Sequence, residues 1–211
     1  MITLGFMVLQ KDLGSALIFF GLSVTVLYLA TSKLKYVIIC VFLLVIGGYI
    51  SYKLFGHVRL RIMIWRDPWP YAYNESHQVV QSLISIASGG LFGSGLGIGH
   101  PEFVPVITTD FIFAAICEEM GIIVGFGIII LYFLLFYRCM RAAIYVEDSF
   151  SRLLAVGYSA MLASQVLVII GGVVNAIPLT GLTLPLISYG GSSMLTTFFA
   201  LGILQKISEE A

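Results

Sequence analysis

One aspartate lies where a long apolar segment begins, and a carboxylate in that position can do acid–base chemistry. Asp110 follows Thr108 and Thr109 and precedes Phe111. Either threonine can cap a helix here, which puts Asp110 in the first helical turn, where the helix dipole favours a negative charge. Asp110 is therefore either a structural helix-start residue or a general base that takes a proton from a hydroxyl. Its type and position alone leave both interpretations open.

Two further carboxylates, Glu118 and Glu119, follow on the same apolar segment. Counting about 20 residues back from Arg138 puts the outer edge of the hydrocarbon near Glu118, with Asp110 about 12 Å above it at the level of the lipid headgroups. On a continuous helix Glu118 is rotated about 80° from Asp110, and Glu119 about 180°. Because carboxylates at this depth must face protein or water, we expect Glu118 to border the same cavity as Asp110.

Two arginines in a basic and aromatic stretch could bind phosphate. Arg59 and Arg61 precede Trp65 and Trp69 in a segment that proline interrupts. A guanidinium matches phosphate with two parallel hydrogen bonds, so these arginines are candidates for a phosphate-bearing headgroup. The alternative is a segment at the membrane interface, where tryptophans are enriched and arginines extend towards water.

The elements that must position these groups are transmembrane helices. The 211-residue chain is 59% apolar and 10% charged, against about 45–50% and 25% in soluble domains. Its mean hydropathy is +1.03 and its formal net charge is zero. These values exclude a soluble domain, a disordered segment and a nucleic-acid-binding surface. Because the apolar residues form long runs, we predict an all-α fold, a polytopic transmembrane helix bundle.

The hydropathy pattern predicts a single membrane domain over residues 1–211 with about five spans. Lys33 and Lys35 lie in one short connection, and Arg138, Arg141 and Arg152 lie in another. Basic residues in short connections favour the cytoplasmic side, so the long loop 56–108 is predicted to be extracytoplasmic. The predicted spans cover residues 13–31, 36–55, 109–137, 153–174 and 186–207.

The long loop contains two patterned segments. Residues 76–88 have the apolar spacing of a short amphipathic helix. Residues 89–99 hold six glycines but match a nucleotide-binding loop poorly, because no strand precedes them and no lysine follows in the required register. These glycines are interpreted as positions of tight turns and close backbone approach. The three cysteines have no metal-ligand spacing, and no protein metal site is predicted.

A second small-residue stretch lies between the fourth and fifth predicted spans. Ser188, Tyr189, Gly190 and Gly191 interrupt an apolar run there. Small residues allow close helix packing, whereas irregular polar backbone at membrane depth must be buried in protein or line a cavity. The stretch is therefore either a packing contact or a cavity wall near Asp110.

These motifs occur in an order that resembles the shape, elongation, division and sporulation family of cell-wall proteins (FtsW, RodA, SpoVE). The resemblance covers essentially the whole chain and corresponds to the C-terminal half of a family fold of about ten spans. The last motif leans towards the FtsW and SpoVE branch, and Lys11 stands where the family usually has proline. The motifs are Gln10-Lys11-Asp12-Leu13-Gly14, Trp65-Arg66-Asp67-Pro68, His77-x-x-x-Gln81-Ser82, Ser88-Gly89-Gly90-Leu91-x-Gly93-x-Gly95, Thr109-Asp110-Phe111-Ile112-Phe113 with Glu118-Glu119-x-Gly121, and Gly181-Leu182-Thr183-Leu184-Pro185-Leu186-Ile187-Ser188-Tyr189-Gly190-Gly191-Ser192-Ser193.

The resemblance implies a peptidoglycan glycosyltransferase that polymerises lipid II in the bacterial cell membrane, during division, elongation or sporulation. It implies Asp110 as the general base, the arginines as pyrophosphate ligands, and a divalent cation such as Mg²⁺ as a further aid. Implied partners are lipid II, a class B penicillin-binding transpeptidase and membrane lipids, with no nucleic acid. The predicted substrate-binding residues are Arg59, Arg61, Gln81, Ser82, Glu118, Asp12, Ser188, Tyr189, Gly190 and Gly191.

Two other functions stay open at this point. One is a transporter that flips the lipid-linked peptidoglycan precursor, because acidic residues near a cavity fit transport as well as polymerisation. The other is a non-catalytic fragment, since the resemblance covers half of the family fold. Because the resemblance covers half of the family fold, this half alone is predicted to be inactive.

Overall fold

The computed structural model of the chain describes residues 12–209 and is helical. Within those residues it contains eight α-helices, two short 3-10 turns and no strand, as the all-α prediction requires. Gln10 and Lys11 of the first motif lie outside the described residues. The helices are α1 (Leu13–Thr31), α2 (Leu34–Leu54), α3 (Gly56–Arg66), α4 (His77–Gly89), α5 (Ile112–Met120), α6 (Ile122–Tyr145), α7 (Ser149–Val173) and α8 (Gly191–Glu209).

Four helical segments of the described chain are long and apolar enough to cross a membrane. They are Gly14–Thr31, Leu34–Leu54, Ile112–Tyr145 and Ser149–Val173. The first, second and fourth predicted spans thus agree with the structure to within a few residues. The fifth predicted span forms α8, which begins later than expected, after the Gly190 turn. Its hydroxyl side chains and Lys206 make α8 less apolar than the other four segments.

The third predicted span, residues 109–137, is present as the segment Ile112–Tyr145, but it is not one continuous helix. The helix begins at Ile112, stops at Met120, and resumes from Ile122 to Tyr145. Gly121 separates the two pieces with a φ of +86°, a conformation that glycine adopts without steric cost. Hydropathy does not detect this break, because both pieces are apolar.

The predicted basic loop 138–152 is also shorter than expected. Arg138 and Arg141 lie inside α6, and residues 146–148 alone connect it to α7. Small residues make this tight connection possible: Ala143 and Ala155 are buried in a cluster where the two helices meet, and Ala142 is also buried. Both arginines remain exposed on α6, close to its end.

α7 is the centre of the bundle, with α1, α6 and α8 packed around it. Glycines allow α1 to approach α7 closely. A methyl group on Gly21 would lie 3.1 Å from Ser164 Oγ, and one on Gly157 would lie 3.6 Å from side-chain atoms of Leu22 and Val26. α2, by contrast, has no buried residue.

The predicted loop 56–108 is largely structured. It contains α3 and α4, and the amphipathic helix expected at residues 76–88 is α4. The glycine-rich residues 89–99, here called the glycine loop, fold back against the break at Gly121. Residues 56–108 thereby place α3 and α4 beside the turn that carries Asp110.

Candidate functional site

A cleft of about 350 Å³ contains both Asp110 and Arg61. We call it the Asp110 cleft. It lies between α3, the start of α4, the turn before α5 and the segment after α7. Its lining residues are His57, Leu60, Arg61, Ile64, Trp65, Glu75, Gln78, Val79, Asp110, Asn175, Leu179 and Gly181.

The turn around Asp110 is held from two sides. Asp110 donates its backbone N–H to Val106 O at 3.2 Å, and the next residue, Phe111, is completely buried in the core. Asp110 therefore precedes the first turn of α5, whose N-cap is Phe111. The expectation that Asp110 lies in the first helical turn is wrong, because the chain stays in a tight turn for two more residues.

The small-residue stretch after α7 braces the same turn. Ser188 Oγ donates to Thr109 O at 2.5 Å and accepts from the backbone N–H of Leu184 at 2.8 Å. The backbone N–H of Tyr189 donates to Thr108 O at 2.9 Å. These bonds fix the peptides that lead into Asp110. The stretch of residues 188–191 thus packs against the turn that leads into Asp110, but it does not line the cleft itself.

A glycine gives the Asp110 carboxylate its space. Gly181 has a φ of +73°, and a methyl group there would lie 3.4 Å from Asp110 Oδ2. The carboxylate thus faces the backbone of the segment after α7 and the cleft. Glycine suits this position because it adopts the left-handed conformation and leaves the carboxylate uncrowded.

The two predicted arginines lie in different surroundings. Arg61 lines the Asp110 cleft, and its guanidinium donates to Leu179 O at 3.2 Å. A guanidinium has five N–H donors, so this bond orients Arg61 and leaves donors for a ligand. Arg59 is exposed, and its guanidinium lies 5.6 Å from the ring centroid of Tyr52. Residues two apart on a helix do not share a face, so Asp110 shares its cleft with one arginine.

One polar residue of the cleft, His57, was not selected from the sequence. It lies one helical turn before Arg61 on α3 and also lines the cleft. Its Nε2 atom is buried and has no hydrogen-bond partner among the described residues, and its ring packs against Phe55 with centroids 5.5 Å apart. The spacing of four residues between His57 and Arg61 was the available signal, because residues four apart share a helix face.

Asn175 is a second cleft residue that sequence reasoning missed. It follows α7 with a φ of +56°, a conformation that asparagine tolerates better than most residues. Its amide Nδ2 donates to Trp65 O at 3.2 Å. This bond ties the segment after α7 to the end of α3, and so joins two walls of the cleft.

Glu118 lies apart from the cleft. Its carboxylate accepts from the side chain of Ser85 and from the backbone N–H of His100 at 2.8 Å. The neighbouring Glu119 accepts from Gly97 N at 3.1 Å. Both carboxylates thus bind the region of the glycine loop, although as neighbours in α5 they are about 100° apart around the helix axis. Substrate binding by Glu118 stays a prediction.

The predicted pair Gln81 and Ser82 also lies outside the lining of the cleft. Ser82 is fully buried, and its hydroxyl donates to Val173 O at 2.9 Å, which fastens α4 to the end of α7. Gln81 is half-buried beside it. α4 instead contributes Gln78 and Val79 to the cleft.

The remaining predicted ligands are Asp12, Tyr189, Gly190 and Gly191. Asp12 is exposed and caps α1, with its carboxylate accepting from Ser15 N at 3.0 Å. Tyr189 is 79% exposed, and Gly191 begins α8. None of the four lines the cleft, and their contact with substrate stays a prediction.

The described residues do not form a preassembled metal site. Within residues 12–209 no three His, Cys, Asp or Glu side chains are grouped so that they could hold a metal ion. The carboxylates of the cleft are Asp110 and Glu75. We therefore derive no catalytic step through a cation.

Comparison with known protein families connects this geometry to a group of membrane proteins. The family model described as cell cycle protein (FtsW, RodA, SpoVE) matches residues 1–211. The chain belongs to this family. The resemblance seen in the ordered motifs is thereby confirmed, and the FtsW/RodA/SpoVE chain is a multi-pass membrane protein.

Its relatives extend the comparison. The peptidoglycan glycosyltransferase RodA of Mycobacterium bovis is 46% identical over 210 residues, covering 100% of this chain and 45% of the relative. Stage V sporulation protein E of Bacillus subtilis is 38% identical, covering 94% of this chain and 55% of the relative. The chain spans about half the length of the curated relatives it matches. Identity is higher to RodA than to the sporulation protein, so the lean of the Tyr189 motif towards the FtsW and SpoVE branch is not supported.

A solved structure shares the fold. It comes from a study of how a peptidoglycan synthase complex coordinates polymerization and crosslinking. It superposes with a TM-score of 0.78 at 29% identity and covers 99% of this chain and 59% of that chain. This chain therefore has the helical architecture of the matched subunit in that complex.

Proposed function

We propose that this chain belongs to a glycosyltransferase that polymerises lipid II into peptidoglycan strands at the bacterial inner membrane. The observation that carries the proposal is the joint presence of Asp110 and Arg61 in one cleft. A carboxylate and a guanidinium that line the same cleft match the two charges that such a transfer develops. The names of the relatives, peptidoglycan glycosyltransferase among them, give the substrate class.

The proposed reaction is an inverting displacement at the anomeric carbon of the donor sugar. The 4-hydroxyl oxygen of the acceptor GlcNAc forms the new C–O bond while the bond from the anomeric carbon to the pyrophosphate oxygen breaks. Asp110 takes the hydroxyl proton as a general base. Such catalysis accelerates a reaction by about 10²–10⁴-fold. The electron pair leaves with undecaprenyl pyrophosphate.

Arg61 suits the leaving group. Its guanidinium can donate to the pyrophosphate as negative charge develops there, and donors that are oriented in advance stabilise such charge best. The bond from Arg61 to Leu179 O supplies the orientation. Charge-assisted hydrogen bonds to phosphate are about twice as strong as neutral ones.

The proposed partner is a class B penicillin-binding transpeptidase. It is supported by the matched solved structure, a peptidoglycan synthase complex that coordinates polymerization and crosslinking. Polymerised strands need crosslinking, so a polymerase and a transpeptidase that share a complex act on one product. Membrane lipids surround the chain, and Mg²⁺ at the donor pyrophosphate stays part of the proposal.

The test is Asp110→Asn. Asparagine keeps the size of the side chain but cannot take the hydroxyl proton, so polymerisation should fall by about 10²-fold or more. The assay measures lipid II polymerisation in proteoliposomes by the chain alone and by the chain co-expressed with the other half of the family fold. Thermal melting in detergent should give nearly the same midpoint for both proteins.

The matched control is Asp148→Asn. Asp148 is exposed and caps α7. Its carboxylate accepts a hydrogen bond from the backbone N–H of Ser151 at 2.8 Å, and this bond holds the pKa of the Asp148 carboxyl below the ordinary value. Asparagine also caps helices, so this variant should polymerise normally. Retention of more than about a third of the rate in Asp110→Asn would refute the base assignment. Transport of lipid II without polymerisation by either assembly would favour a flippase, and neither activity a non-catalytic role.

A further inference from the structure

The break at Gly121 lies inside the apolar part of the third span. The span from Ile112 to Tyr145 has 34 residues, or about 51 Å of helix, against a hydrocarbon thickness of about 30 Å. Arg138 is the first charged residue after Gly121. Gly121 precedes it by about 26 Å of helix. With Arg138 at the inner boundary, the break therefore lies within the outer part of the hydrocarbon.

A broken helix exposes backbone groups, and at this depth they need partners from the protein. The glycine loop supplies them. The carbonyls of Glu118 and Glu119 accept from Ser94 N at 2.9 Å and Gly95 N at 3.0 Å. The N–H groups of Ile122 and Ile123 donate to the carbonyls of Gly90 and Leu91 at 3.0 and 3.4 Å, respectively. Four backbone hydrogen bonds thus join residues 89–95, the tip of the glycine loop, to both ends of the break.

The fit between tip and break is close enough to exclude side chains. A methyl group on Gly93 would lie 2.2 Å from Glu119 O, and one on Gly89 would lie 2.1 Å from Cys117 O. From the other side, a methyl group on Gly121 would lie 2.3 Å from Leu91 O. The tip is therefore at the same depth as the break.

The two large side chains of the tip, Leu91 and Phe92, are apolar and exposed. Phe92 is 82% exposed and Leu91 is 61% exposed. Next to them Ile122, Ile123 and Phe126 are also exposed, and they begin the apolar surface of α6. Residues 89–99 contain no charged side chain. The tip and α6 thus form one continuous apolar surface.

We propose that residues 89–95 are a re-entrant tip that enters the outer leaflet, with Leu91 and Phe92 in contact with lipid acyl chains. The occupant is lipid because the apolar surface continues that of a transmembrane helix, and because paired backbone groups are what the hydrocarbon demands. The proposal is independent of the glycosyltransferase function. It also alters the expectation that all of residues 56–108 lie outside the membrane.

The test is site-directed spin labelling of the chain reconstituted in phosphatidylcholine–phosphatidylglycerol vesicles. Cys40, Cys117 and Cys139 are replaced by alanine, and a nitroxide is attached after Phe92→Cys. Collisions with oxygen report lipid, and collisions with a water-soluble nickel chelate report water. Controls are Phe126→Cys on α6 and Tyr73→Cys, since Tyr73 is 96% exposed between α3 and α4.

The label at position 92 should give an oxygen-to-nickel ratio close to that at position 126 and severalfold above that at position 73. A ratio like that at position 73 would overturn the proposal in favour of water. Low accessibility to both reagents would overturn it in favour of a protein contact. Leu91→Cys is the second variant, and it should reproduce the ratio at position 92 if that substitution has not disturbed the tip.

Discussion

Arg59 and Arg61 have the same side chain and neighbouring positions, yet the helix separates them. Arg61 lines the Asp110 cleft, whereas Arg59 lies beside Tyr52 on an exposed face. We predict that Arg61→Ala lowers kcat/KM for lipid II by about 10- to 150-fold, since a lost charge-assisted contact costs about 1.5–3 kcal/mol. Arg59→Ala is the control and should stay near the wild-type value. Equal losses in the two variants would contradict a single phosphate-binding arginine.

At this scale, sequence reasoning located a carboxylate that lines a cleft, and it misplaced residues whose positions depend on how the helices break and pack. Asp110 was selected from its place at the start of an apolar segment, and it does line a cleft with an arginine. Glu118 was assigned to the same cavity on the assumption of a continuous helix, and the turn before Ile112 invalidates that geometry. His57 and Asn175 were missed because their proximity to Asp110 depends on contacts between distant segments.

The glycine loop and the broken helix pack as one element. Two glycines of the loop separate the cost of a left-handed backbone from the cost of a steric clash. Gly93 and Gly97 both have positive φ, at +84° and +72°. A methyl group on Gly93 would collide with Glu119 O, while one on Gly97 meets nothing within 4 Å. Alanine at either position costs about 1–2 kcal/mol for its left-handed backbone. Gly93→Ala must also displace the backbone bonds at the break.

We therefore predict a larger loss of thermal stability for Gly93→Ala than for Gly97→Ala. The conformational cost alone should lower the melting temperature by about 2–8 °C in a chain of this size. Gly93→Ala should lower it by clearly more than that. Melting in detergent, followed by circular dichroism, measures both variants. Indistinguishable midpoints would mean that the loop separates from the break at little cost.

Hydropathy predicted the spanning elements because each crosses about 30 Å of hydrocarbon with about 20 apolar residues. It could not detect the interruption at Gly121, because apolar residues continue on both sides. The spacing Gly121-x-x-x-Gly125 is typical of a helix-packing face. Gly125 does pack tightly, with a methyl group there 2.6 Å from Cys117 Sγ. Gly121 instead admits the glycine loop, which no local spacing could indicate.

The topology of the whole molecule is a prediction from basic residues in short connections. We expect the segment between α3 and α4 to be extracytoplasmic and the connection between α6 and α7 to be cytoplasmic. In a background without native cysteines, Tyr73→Cys should react with an impermeant thiol reagent on intact spheroplasts. Glu147→Cys, exposed between α6 and α7, is the control and should react only after permeabilisation. The opposite pattern would invert the orientation.

α2 contributes no buried side chain to this chain, and this separates two sources of stability. The free energy that holds α2 comes from the transfer of its apolar surface out of water, whereas α1 and α7 are held by packing. Exchange of one apolar residue for another along α2 leaves the interior of this chain unchanged. A charge at the centre of α2 acts differently: it opposes insertion and leaves the packed core intact. Within this chain, the hydrocarbon of the bilayer therefore constrains the residue types of α2 more than the contacts with α1 do.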